Sequence, residues 1–201
     1  MIQTIRKQIP QEEFDYQALL DCLKGYVRPR DFGDEYRRKP FSREILANLM
    51  YGPSYISLEY ALQHYGLIPE RVEAVTSVTT GRSRRFSTPV GLFTYRMIPL
   101  EAFRVGMDRI EIGDGRAFLM ATPAKALADK LQEDRGIGIQ SQRELNKYLE
   151  NNLRIDPTAL KDLNQMELNA IARGYRSRRI RMLSDLVRRI QHKVEEKSGH
   201  V

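Results

Sequence analysis

Apolar residues recur along this chain with two periods, and the switch between them divides it into helical, strand-forming and again helical parts. After Ser42, a good N-cap, Ile45, Leu46 and Leu49 share one face, so a helix is expected over 42–51, stopped by Gly52-Pro53. Ser57 is the expected N-cap of a second helix. Its apolar residues Leu58, Ala61, Leu62 and Tyr65 fall at i, i+3, i+4 and i+7, and Gly66 and Pro69 end it. Residues 72–80 are β-branched and free of turn residues, as a buried strand would be. Segments 84–87 and 92–98 flank Thr88-Pro89-Val90-Gly91, and segments 107–112 and 116–121 flank Gly113-Asp114-Gly115; each pair reads as a hairpin.

Helical signals return at Thr122-Pro123, a cap followed by proline at the first helical position. Ser141-Gln142-Arg143-Glu144 is a capping box opening a helix through Tyr148 and Leu149. Asp156-Pro157 repeats the cap-plus-proline start ahead of Leu160 and Leu163, and 166–174 and 178–190 complete the helical end. Strands joined by tight turns pair antiparallel. The expected class is therefore α+β, a mainly antiparallel sheet of two hairpins flanked by helices, with a helical C-terminal part.

The first forty residues differ from this pattern. Phe14, Leu19, Leu20 and Leu23 make one short amphipathic helix that Gly25 can terminate. Residues 26–40 are polar and broken by Pro and Gly, so they read as a connector. The expected layout is an N-terminal helical appendage and linker over 1–40, a principal domain over 41–192, and a charged, disordered tail over 193–201.

Hydrophobic residues make up 41% of the 201, enough to bury a sizeable core and to exclude a wholly disordered chain. A single cysteine, Cys22, cannot form an internal disulfide, which points to a reducing compartment. The N-terminus lacks the apolar run of a signal peptide, and no stretch reaches the ~18 apolar residues of a membrane helix. A cytoplasmic protein with no membrane partner is expected.

Catalytic constellations are sparse, and no enzymatic activity, cofactor or metal is expected. His64 has no Cys, Asp or Glu at ligand spacing, while His192 and His200 lie at or in the tail. Gly136-Ile137-Gly138 lacks the rest of a phosphate loop. Asp108 and Glu111 share one expected strand, as in some nuclease metal sites, but no lysine follows the second carboxylate. Lys125 and Asp129, four apart on a helix, would form a surface ion pair worth only about 0.3–0.5 kcal/mol.

The basic residues are bunched. Eight stand between Arg173 and Lys193, with Asp185 as the lone acid, so this stretch carries a charge equal to the +7 of the whole chain. Ile180, Leu183, Val187 and Ile190 form its apolar stripe, which sends Arg178, Arg181, Arg188 and Arg189 toward solvent or a partner. With Arg176 and Arg179 they make either a solubilising helix face or a binding surface for phosphate or an acidic protein. A second cluster, Arg82, Arg84 and Arg85, sits between two strands. It could reach a phosphate backbone or discourage edge pairing.

Several strings resemble the antitoxins of type IV, abortive-infection (AbiE) toxin–antitoxin systems. They are Tyr51-Gly52-Pro53-Ser54-Tyr55-Ile56-Ser57-Leu58-Glu59-Tyr60-Ala61-Leu62, Tyr65-Gly66-Leu67-Ile68-Pro69-Glu70, Val75-Thr76-Ser77-Val78-Thr79-Thr80, Gly91-Leu92-Phe93-Thr94-Tyr95-Arg96, Ala121-Thr122-Pro123-Ala124-Lys125-Ala126-Leu127-Ala128-Asp129-Lys130 and Tyr175-Arg176-Ser177-Arg178-Arg179. The resemblance covers residues 42 to about 190. It implies a non-enzymatic protein of phage defence in two parts: a winged helix-turn-helix that binds the operator and acts as transcriptional regulator, and a C-terminal domain that counteracts a nucleotidyltransferase-like toxin.

The sequence departs from that family twice. Too few residues separate Phe14 from Ser42 for three helices and a wing, so 1–40 reads as a winged-helix remnant with operator binding weakened or lost. Ala124 stands where similar sequences place Glu, so a charged contact of that helix is expected to be missing.

Overall fold

The computed structural model describes residues 41–198, apart from Asp114 and Arg135. The expected helix at 14–23, the connector, Cys22 and the last three residues of the tail lie outside that range.

Helix α1 (Arg43–Met50) starts as anticipated, with the Ser42 hydroxyl accepting the Ile45 N–H at 3.1 Å. Strand β1 (Ser54–Ile56) and α2 (Leu58–His64) follow, then β2 (Val75–Thr79), β3 (Arg84–Thr88) and β4 (Gly91–Met97). A short α3 (Leu100–Phe103) leads to β5 (Met107–Glu111) and β6 (Ala117–Ala121). The helical part is α4 (Pro123–Glu133), α5 (Gln142–Lys147), a π-helical turn (Tyr148–Asn152), a 3-10 turn (Pro157–Asp162), α6 (Gln165–Tyr175) and α7 (Arg178–Ser198).

The class is α+β as expected, but the sheet is mixed. Its order is β3-β4-β2-β1-β6-β5. Both expected hairpins are present, β3–β4 and β5–β6, and both are antiparallel. They attach to the centre through parallel ladders, β4 on β2 and β6 on β1, while β1 and β2 run antiparallel to each other. Each hairpin thus inserts its second strand beside a central strand and leaves its first at an edge. Local turn signals specify a hairpin and say nothing of which strand docks inward. Strand β1 was not anticipated: three residues between Pro53 and Ser57 are too few to show a period.

Every position of β1 and β2 is buried, so the centre of the sheet is covered on both faces. The edge strands β3 and β5 are largely exposed. Thr88 pairs with Gly91, so the first hairpin turns on Pro89 and Val90 alone rather than on four residues.

Caps at Thr122, Ser141 and Asp156 form as expected, and Asn164 adds one for α6. Ser57 departs from expectation: it makes no side-chain cap. Thr76 of β2 supplies the missing acceptor, its Oγ1 taking the Tyr60 N–H at 3.1 Å while donating to the Ser57 carbonyl at 2.6 Å. The Ser57 hydroxyl is thereby released for another partner. The last helix also continues past Lys193 to Ser198, where a tail was expected, because adding a residue to an existing helix of Lys, Glu and Val is easy once the helix is nucleated.

Helix α4 is the central helix, with Ala124, Lys125, Ala126, Leu127, Ala128, Asp129 and Leu131 all buried. Its alanines admit close neighbours on several sides, and its two charged residues are drawn inside with them. Helix α6 approaches α3 just as closely. A Cβ at Gly174 would lie 2.8 Å from the Glu101 carbonyl oxygen and 2.9 Å from the Ala102 Cα. Gly174→Ala is therefore expected to destabilise by about 1–3 kcal/mol despite alanine's better helix propensity. Gly138→Ala, with nothing within 4 Å of its Cβ position, should change the melting temperature little; paired thermal denaturation of the two variants checks this.

Candidate anion-binding face

The ion pair expected at the surface is instead buried in the core. Lys125 and Asp129 have fully buried side chains and are joined directly, Nζ to Oδ1. Asp129 Oδ1 also accepts the Tyr175 hydroxyl of α6 at 2.5 Å, and Oδ2 accepts the Ser57 hydroxyl at 2.6 Å. Lys125 Nζ lies 4.5 Å from the centroid of the Tyr175 ring. Burial pushes the lysine below its ordinary pKa, against the opposing pull of Asp129. The Tyr55 hydroxyl nearby is pushed upward by burial and by the Asp129 charge, and it has no hydrogen-bond partner. Ala124 is buried in the core at 1% exposure, so a charged contact of the helix surface is not what this position supplies.

Tyr175 ends α6, and the next residue makes the corner to α7. Arg176 adopts the left-handed conformation with φ 52°, the Arg176 N–H bonding the Arg173 carbonyl at 3.1 Å and the Ser177 N–H the Ala172 carbonyl at 3.2 Å. This is a Schellman ending, in which glycine is the favoured residue because a side chain costs about 1 kcal/mol there. Arg178, Arg179 and Arg181 then occupy the first turn of α7, which holds no acidic residue. Cations at the positive end of a helix dipole are unfavourable by roughly 0.3–1 kcal/mol each. A merely solubilising face would not favour arginine at either place. A bound anion would offset both costs.

A groove of about 460 Å³ opens at this corner, lined by Gln132, Gln140, Tyr175, Arg176, Arg178 and Arg179 among others. At about 100° per residue, Arg178, Arg181, Arg188 and Arg189 share one face of α7 opposite buried Ile180, Leu183 and Val187. Within that face Arg188 is paired with Asp185 at 3.0 Å, and Arg179 of the groove reaches the Asp134 carbonyl at 3.4 Å.

Arg82, Arg84 and Arg85 are exposed at the β3 edge. They do not line the groove, and none of them lines a second cavity of about 230 Å³ nearby. It is lined by Ser83, Arg96, Asp129, Glu133 and, in common with the groove, Gln132 and Tyr175. Arg96 is held by Glu133 at 2.6 Å, and burial together with Glu59 keeps that carboxylate above its ordinary range. Arg96 and Tyr175 stand in two of the resembling strings, but only the fold brings them to one cavity, and Gln132 had no signal in the sequence.

Asp108 and Glu111 lie three apart on β5 and so face opposite sides of the sheet, with Glu111 taken up by Arg109. His64 is exposed and packs edge-on against Tyr65 and Phe118. Among the described residues, no group of three or more His, Cys, Asp or Glu is arranged to hold a metal ion, and no helix is long and apolar enough to cross a membrane. Comparison with protein-family models, with curated proteins and with solved structures found no significant match.

Two outcomes are expected. Arg176→Gly should raise the melting temperature, by up to about 1 kcal/mol of stability, while weakening retention on a polyanion such as heparin; a loss of stability would show that the arginine is structural. Asp129→Ala should cost on the order of 3–5 kcal/mol in urea denaturation, because it strands a buried ammonium, and Lys125→Met in the same chain should recover part of it.

Proposed function

We propose that this chain is the antitoxin of an AbiE-like type IV pair, acting against a nucleotidyltransferase-like toxin. One observation carries the reading beyond the resemblance itself. Three of the resembling segments, distant in sequence, meet at one cluster: Ser57 from the first, Lys125 and Asp129 from the second, Tyr175 from the third. The same cluster sets the corner that presents Arg176, Arg178 and Arg179. In this reading the basic face contacts either the toxin or the toxin's anionic target, the domain from residue 42 suffices for neutralisation, and operator binding is weak or lost. No catalytic role is assigned to any residue.

The arginines sharing one face of α7, whose first turn holds no acid, favour a second reading, a nucleic-acid-binding transcriptional regulator that uses the arginine-rich helix. Its mark would be an affinity for duplex DNA that falls with salt at a log–log slope of about −0.9 per phosphate neutralised.

Co-expression with a nucleotidyltransferase-like toxin gene tests the antitoxin reading by growth rescue. Survival over an empty vector is expected. The Arg178→Ala/Arg179→Ala/Arg181→Ala variant should lose rescue with a small change in melting temperature, since Arg178 and Arg181 are exposed, where substitutions are usually worth within ±0.5 kcal/mol, and Arg179 is half-buried. Soluble protein without rescue would overturn the proposal, and a collapsed melting temperature in the variant would make these arginines structural.

A further inference from the structure

The two edges of the sheet differ in charge. In the order β3-β4-β2-β1-β6-β5 the edge strands are β3 and β5, roughly 24 Å apart at ~4.8 Å per strand. An open edge is a template for pairing with another chain, and charges of one sign guard against it. Arg82, Arg84 and Arg85 guard the β3 edge in this way. The β5 edge has no such guard: its exposed Asp108, Arg109 and Glu111 are of both signs, and it contains neither lysine nor proline. At the hairpin tip a Cβ on Gly113 or Gly115 would meet nothing within 4 Å, so no other described element covers that end of the strand.

The ladder to β6 fixes which backbone groups of β5 are free. The Ile112 N–H donates to the Arg116 carbonyl at 3.0 Å, so these two form a hydrogen-bonded pair. Such pairs alternate along an antiparallel ladder. Asp108, Ile110 and Ile112 therefore turn their N–H and C=O groups toward β6, and Met107, Arg109 and Glu111 turn theirs to the open edge. Two copies pairing antiparallel about a two-fold axis must set outward-turned residues opposite one another. That places the axis on a residue and never between two. An axis at Arg109 sets arginine against arginine, and one at Glu111 sets glutamate against glutamate; axes nearer either end overlap fewer residues. An axis at Ile110 sets Arg109 opposite Glu111 of the second copy, twice, on the face where these two residues already form an ion pair within one chain. Ile110 then meets its own copy on the other face, with exposed Ile112 opposite Asp108.

We infer that β5 is a homodimerisation edge: two copies pair antiparallel about Ile110, and Arg109 and Glu111 of each close a ring of alternating charge across the axis. The surface is isologous, as a two-fold interface requires. Main-chain hydrogen bonds supply the affinity, and the opposed charges supply the register. The paired edge is short, so the dimer is a weak one, with an interface below standard size. The sheet becomes continuous through both copies, with the like-charged β3 edges at its two far ends. The inference rests on β5 and on neither reading of the function, so growth rescue and dimerisation can fail independently.

Sedimentation velocity of the full chain tests it, with a dimer Kd on the order of 100 μM expected for so small an interface. Arg109→Glu and Glu111→Arg each set like charges opposite one another in both pairs, and each should weaken self-association about tenfold. Mixed together, the two variants should associate with each other as tightly as the unmodified chain does with itself, because every pair across the axis is again opposite in sign. A second measurement reads the register even if a reversal variant does not fold. In a Cys22→Ser background, Ile110→Cys oxidised with diamide should give a disulfide-linked dimer, since directly opposed residues of a non-hydrogen-bonded pair lie about 4.5 Å apart at Cα. Ile112→Cys, which faces Asp108, should give little. A chain that stays monomeric to about 1 mM and forms no disulfide at position 110 would overturn the inference. Reversal variants that remain monomeric when mixed would overturn the register, and a dimer insensitive to both reversals would assign self-association to another surface.

Discussion

The arrangement depends on a buried ion pair that has little margin for loss of its partners. Taking an ammonium and a carboxylate out of water costs several kcal/mol each, and their attraction offsets this only when further hydrogen bonds complete the geometry. Lys125 and Asp129 meet that condition through Ser57 and Tyr175. Those two residues belong to the start of α2 and the end of α6, so satisfying one charge pair fixes three helices against one another. Ser57 is available only because Thr76 takes over its capping role, which brings β2 into the same constraint.

The position of the arginine corner follows from this. Tyr175 is tied to Asp129, and the chain must turn immediately afterward, placing Arg176 in a conformation better suited to glycine and sending α7 off with arginines at its positive end. Residues that each cost stability where they stand are thus gathered on one face, beside a groove that Tyr175 also lines. Natural sequences depart from local stability rules mainly at working surfaces, and this corner departs from two of them within a few residues.

Much of the fold was legible locally. Caps at Ser42, Thr122, Ser141 and Asp156 and both hairpins depend on residues within a few positions of one another, and all form. The misread features are those decided at a distance. Strand β1 is a strand because β2 and β6 lie on either side of it. Ser57 leaves its cap because an aspartate seventy-two residues away accepts its hydroxyl. Lys125 and Asp129 have the spacing of an exposed helical pair, and nothing local distinguishes a helix with one covered face from one buried nearly all round.

The candidate site divides along the same line. The sequence by itself determined the arginine-rich helix, its apolar stripe and the basic edge at Arg82, Arg84 and Arg85, because charge and helical periodicity are properties of consecutive residues. Only the tertiary structure decided that the arginine corner opens onto a groove lined also by Gln132, Gln140 and Tyr175, that Arg96 is held by Glu133, and that Lys125 and Asp129 are buried together. Sheet order and helix packing set those relations, and both arise from burying apolar surface that no short segment can bury alone.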